Sequence, residues 1–130
     1  MTMTEIKRRG RPHTTPSKEE LLALIKKASI GSSELDCRIE KFFNPNSTYH
    51  NVNDGRMRFD NNTKSYIVPH YTTNYLDMLP YLKNTILYSI ISGGRNNPVV
   101  ILTSKEGHLL SKVSAKTNEL AFCLAVIEVL

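Results

Sequence analysis

Tryptophan is absent from this sequence and cysteine occurs only twice, at positions 37 and 123. Each thiol sits inside a helix-like apolar pattern, which suits small buried hydrophobes in a reducing compartment better than a disulfide scaffold. No apolar run approaches the ~20 residues a bilayer-spanning helix needs, and the basic N-terminus is not followed by the apolar core of a secretion signal. The expected location is therefore cytosolic. His13, His50, His70 and His108 share no metal-site spacing, and C-x-x-C and H-E-x-x-H are both missing, which argues against a metal centre. There is no G-x-S-x-G elbow and no cysteine in a setting that lowers its pKa, so nucleophilic catalysis has no foothold. Asp36 and Glu40 lie one helical turn apart with Arg38 and Lys41 between and beside them, an arrangement read as a solvated structural face rather than a hydrolytic pair. Neither an enzyme nor a cofactor is expected.

What is present is enough for one domain: 130 residues, 40% hydrophobic and 22% charged. The net charge of +5 is concentrated at one end, because residues 1–18 carry five basic side chains against Glu5 alone. Residues 19–130 hold twelve basic and eleven acidic side chains and are nearly neutral. The chain thus divides into a flexible, disordered basic arm over 1–15 and a single α+β domain over 16–130. Within the arm, Arg9-Gly10-Arg11-Pro12 resembles the core of an AT-hook, whose arginines enter the narrow minor groove of A·T-rich DNA, although Arg8 stands where the usual hook has proline and no basic cluster follows Pro12. A merely solubilising basic arm has the same composition.

Ser17 and Glu20 have capping-box spacing before an apolar face of Leu21, Leu22, Leu24, Ile25 and Ala28, which predicts a helix over 17–29. Gly31-Ser32 stops it, and Ser33 is expected to cap a second helix bearing Leu35, Ile39, Phe42 and Phe43, ended by Asn44-Pro45. The asparagine-rich stretch 44–55 reads as a loop. Short strands over 56–59 and 65–68 flank a hairpin connection, and a helix with Pro80 inside it begins at Thr72 or Thr73. A three-strand antiparallel meander follows over 85–91, 99–103 and 108–113. Its middle strand, Val99-Val100-Ile101-Leu102, is continuously apolar and reads as covered on both faces. Ser114 caps a last helix with Leu120, Leu124 and Ile127 inward. The expected class is α+β, an antiparallel sheet layered between helices as an α-β-α sandwich.

Three features offer binding chemistry. Arg56 and Arg58 flank Met57 on a strand, so both guanidiniums fall on one face, as a phosphate clamp or as the charged side of an edge strand. Gly93-Gly94-Arg95-Asn96-Asn97 combines free amides, a phosphate fork and base- or ribose-bonding amides, although glycines between strands also simply turn the chain. Tyr71 and Thr72, at the start of the middle helix, are expected to be semi-exposed, with first-turn amides facing solvent or an anion.

Three separated segments also match a known pattern: Glu34-Leu35-Asp36-Cys37-Arg38-Ile39-Glu40-Lys41, Pro69-His70-Tyr71-Thr72-Thr73-Asn74, and 114–125 with its Ala115, Thr117, Ala121 and Cys123. Their order and spacing over 33–130 resemble the phage ABA sandwich domain family, with its leucine-aspartate helix start, proline-aromatic-Ser/Thr-Thr segment and A-x-T-x-x-x-A-x-C last helix. Pro80, the lack of tryptophan, and residues 1–30 depart from it. The resemblance implies a phage protein in the host cytoplasm with a layered α-β-α domain. A further likeness, to the Thoeris anti-defence sponge proteins of phages, implies a homo-oligomer that holds a cyclic ADP-ribose-type or cyclic nucleotide signal away from its effector. On chemistry, the ligand residues would be Arg56, Arg58, Tyr71, Thr72, Arg95, Asn96 and Asn97. The competing reading is a DNA-associated accessory protein using Arg9, Gly10 and Arg11, with the domain contacting a protein partner.

Overall fold

The computed structural model describes residues 15–59 and 65–130, so residues 1–14 of the expected arm, with Arg9, Gly10 and Arg11, lie outside the described residues. Ser17 opens α1 (Lys18–Lys27) with a complete capping box: its hydroxyl accepts from the Glu20 amide at 3.1 Å while the Glu20 carboxylate accepts from the Ser17 amide at 2.8 Å. Helix α2 (Ser33–Phe43) is capped by Ser32 and not by Ser33, because the Ser32 hydroxyl accepts from the Leu35 amide while Ser33 is already helical; α3 (Asn118–Glu128) is capped by Thr117. The cap of α3 is not Ser114, because the preceding strand runs through that residue and its hydroxyl donates to the Pro98 carbonyl.

The α+β class holds, with the strands divided into two sheets. Strands β1 (Ser47–Asn51), β2 (Arg56–Phe59) and β3 (Ser65–Ile67) form one antiparallel sheet in that order. Strands β4 (Ile86–Ile91), β5 (Val99–Ser104) and β6 (Leu109–Ser114) form the other. Strand β1 arises inside the stretch expected to be a loop: Ser47 and Tyr49 are buried in alternation, so period-two burial overrides the turn-forming asparagines around them. The segment expected to be a helix from Thr72 is a 3-10 turn, Tyr75–Tyr81, capped by Asn74. Pro80 offers no amide to an α-helical ladder, and the Asp77 carboxylate accepts from the His70 amide instead.

Helix α3 is the centre of the molecule. Residues 120–127 are all buried, and the helix packs on α1, on the 3-10 turn and on β5 and β6. It covers one face of the second sheet, meeting Val100 and Leu102, both fully buried. The other face carries Leu87, Ile91, Val99 and Ile101, none of them buried, so the continuous apolar run of β5 is covered fully on one side and not on the other. Cys37 and Cys123 are free and buried, in keeping with their apolar surroundings.

Candidate functional site

Two places in the fold gather the residues singled out from the sequence. The first is a buried polar node where α2, the 69–74 segment and α3 meet. Asp36 is 3% exposed, and one of its carboxylate oxygens accepts from both the Thr72 amide at 2.8 Å and the Thr72 hydroxyl at 2.6 Å. The Ser32 amide donates to the same hydroxyl. One turn on, the Glu40 carboxylate accepts from the hydroxyls of Tyr66 and Tyr71 and from the Asn44 side chain, at 2.8, 2.7 and 2.8 Å. Tyr81 closes the node, its hydroxyl 3.1 Å from that of Tyr71 and its ring stacked on Phe43. The Cys123 thiol donates to the Tyr71 carbonyl. Lys41, also buried, donates to the carbonyls of Pro45 and Ser47.

These contacts correct two expectations. Tyr71 and Thr72 are 0% and 1% exposed, not semi-exposed, because their polar atoms are spent on α2: the Thr72 amide faces Asp36 rather than an anion. Asp36, Glu40 and Lys41 form no solvated face; all three are buried with hydrogen-bond partners, as charged groups in an interior must be. Burial pushes the Asp36 carboxyl above its ordinary value, against the lowering effect of the two Thr72 bonds. Burial, reinforced by Asp36 and Glu40, pushes the Cys37 thiol up to about 11, and burial raises Cys123 as well, so neither is a ready nucleophile. Burial and the bonds to Tyr81 and Glu40 raise Tyr71. With every group committed to another, the node fastens α2, the 69–74 segment and α3 to one another.

The second place is the outer face of the first sheet. Met57 is fully buried between Arg56 and Arg58, so both arginines point away from the core, as the alternation requires. Thr48 and Ser65 lie directly across from Arg58, and Asn51 and Ile67 across from Arg56. The β1–β2 register slips between Tyr49 and Asn51, leaving His50 as an extra, exposed residue. Its ring nitrogen Nδ1 stands 2.9 Å from a terminal nitrogen of Arg58, and since arginine only donates, the histidine is the acceptor of that bond. Arg58 Nε has no hydrogen-bond partner among the described residues, and no carboxylate pairs with either arginine there.

Arg95, Asn96 and Asn97 are not part of this face. They are exposed in the connection between β4 and β5, in the other sheet, where Gly93 and Gly94 adopt left-handed φ of 108° and 72°. Those angles are what glycine is needed for in this turn. Two neighbouring concavities, of about 490 and 210 Å³, border α1 and α2 and share Leu24 and Arg38. Neither takes in Arg56, Arg58 or Arg95; Arg38 is ion-paired with Glu34 at 3.1 Å. The described residues contain no cluster of three metal-ligating side chains and no helix long and apolar enough to cross a membrane.

No family model, curated protein or solved structure matches the chain. The node as a whole was missed in the sequence because Tyr66 and Tyr81 carry no motif; its traces were the helical spacing of Asp36 and Glu40 and the three segments that hold Asp36, Glu40, Tyr71, Thr72 and Cys123.

Proposed function

We propose that this is a phage-encoded, non-catalytic binding protein of the ABA sandwich type, which sequesters a small phosphorylated nucleotide signal of the cyclic nucleotide or cyclic ADP-ribose class. The observation that carries the reading is the outer face of the first sheet: two guanidiniums one pleat apart, free of carboxylates among the described residues, beside a histidine, a threonine and a serine. Such forks hold phosphate oxygens bidentately, and a sponge needs affinity without turnover. The family assignment is supported by the node, since the three segments that resemble that family, far apart in sequence, are the ones joined through Asp36, Thr72, Tyr71 and Cys123. Arg95, Asn96 and Asn97 can join the ligand only from a neighbouring copy in this reading, which makes the protein a homo-oligomer.

The test is a melting-temperature screen against cyclic nucleotides and cyclic ADP-ribose isomers. A ligand present at 100 times its Kd stabilises by about 2.7 kcal/mol, a shift of several degrees for a domain of this size. Arg56→Ala with Arg58→Ala should abolish the shift, and the ligand should be recovered unchanged after heat release. A flat response across the panel overturns the reading. Salt-sensitive DNA binding that disappears when residues 1–15 are deleted would put the DNA-associated alternative in its place.

A further inference from the structure

Among the described residues the second sheet ends on one side in β4, and the strand itself carries none of the sequence features that keep an edge unpaired. Its six residues, Ile-Leu-Tyr-Ser-Ile-Ile, include no charge, proline or glycine, and its register with β5 is regular throughout. Side chains are left open on both of its faces: Leu87 and Ile91, 52% and 57% exposed on the outer one, and Tyr88, 40% exposed on the face that meets Phe122. The opposite edge differs. Strand β6 carries Lys112, exposed, and slips register against β5 between Leu102 and Thr103, both of which deter pairing.

We propose that β4 is a self-pairing edge: two copies of this chain join antiparallel through Ile86–Ile91, about a twofold axis at Ser89, making one six-stranded sheet. The occupant follows from the strand itself. Directly opposed residues in an antiparallel pair lie on the same face, so a twofold must fall on a residue, not between two, to keep core side and outer side aligned. With the axis at Ser89, Leu87 of one copy faces Ile91 of the other, Tyr88 faces Ile90, and the two small serines meet at the centre. All the open large side chains of the strand then gain apolar partners. Stacking of outer faces would instead bury Lys112 and leave Tyr88 uncovered. Nothing charged within β4 opposes the union. At its ends, Lys83 of one copy approaches the turn that holds Arg95 of the other, so salt should strengthen the association by screening them.

This inference rests on the oligomer of the proposed function but not on its ligand, and the test uses protein without nucleotide. A failure here leaves the arginine face untouched, and the reverse. An edge contact of one strand falls at the small end of specific interfaces, so the dimer should dissociate on dilution. Sedimentation velocity of the full chain over about 1–500 µM should show a monomer–dimer equilibrium that shifts toward dimer from low to high salt. Ser89→Lys, at an exposed position, should raise the dissociation constant at least about tenfold while keeping the wild-type circular dichroism and, at dilutions where the wild type is monomeric, its melting temperature. Ser89→Cys should form a disulfide-linked dimer on mild oxidation, and Tyr88→Cys should not. A monomer at every concentration, a dimer indifferent to Ser89→Lys, or cross-linking at Tyr88→Cys in preference to Ser89→Cys each overturns the proposal. So does a concentration-dependent series beyond dimer, which would mark head-to-tail pairing of β4 with β6.

Discussion

Replacing Gly31 with alanine should be among the most damaging single-methyl changes in this protein. Gly31 has no left-handed φ, so alanine is conformationally acceptable there and would even restrict the unfolded chain, a gain of about 0.4–1 kcal/mol at an unstrained site. The space decides against it. A Cβ at Gly31 falls 2.1 Å from the Thr72 carbonyl oxygen and 2.6 Å from its hydroxyl oxygen. Relief requires the α1–α2 connection and the 69–74 segment to part by about 1 Å or more, since ordinary non-bonded contacts begin near 3.5 Å. That movement pulls on the bonds between Ser32, Thr72 and Asp36. Overpacking of this kind costs about 1–3 kcal/mol, and each bond to a charged group another 1.5–3. A net loss of about 3 kcal/mol is therefore expected. In urea, with m of about 1–3 kcal/mol/M, the midpoint should fall by about 1–3 M at unchanged m. Gly94→Ala is the comparison: nothing lies within 4 Å of its Cβ and only the left-handed φ of 72° is strained, a cost of about 1–2 kcal/mol. If Gly31→Ala proves no worse than Gly94→Ala, the close approach and the node built on it are misdescribed.

Other outcomes follow from the same node and the buried thiols. Glu40→Ala should cost about 3–5 kcal/mol by stranding the Tyr66, Tyr71 and Asn44 donors, and Glu40→Gln clearly less because it keeps an acceptor; equal losses in a denaturant titration would refute this. Asp36 has a raised pKa in the folded state, so its contribution is fully present below 3.8 and is lost as pH rises through the folded value. Asp36→Asn, which keeps a carbonyl for Thr72, should accordingly gain in melting temperature relative to wild type as pH climbs above 3.8, and a gap that stays constant would count against the burial argument. Both cysteines should resist an aromatic disulfide reagent at pH 8 in native protein and react fully in urea; fast labelling of either under native conditions contradicts their burial.

The sequence carried α1, α2, α3 and the meander well because their signals are local, whereas the helix expected from Thr72 is a 3-10 turn. Ser17 and Glu20 define a cap without help from elsewhere, and β4 to β6 are separated by glycine turns. It carried β1 poorly, since the asparagines at 44, 46, 51 and 53 advertise turns while the burial of Ser47 and Tyr49 depends on α2 lying above them. The division into two sheets had no local signature at all, because strand partnership is a long-range property. For the candidate site, the placement of Arg56 and Arg58 on one face followed directly from strand alternation, and this holds. Tyr71 and Thr72 were misjudged as exposed for an instructive reason. A hydroxyl and an amide near a helix start suit an anion and an aspartate equally, and only the fold reveals that Asp36 is already there.

The burial of α3 on all sides has a bearing on synthesis. A nascent chain cannot close its interior before residues 118–128 have left the ribosome, for that segment is the post against which α1, the 3-10 turn and the second sheet lean. Until then β4 and β5 stand without cover, and the nascent chain is expected to depend in that interval on whatever shields bare strands in its cell.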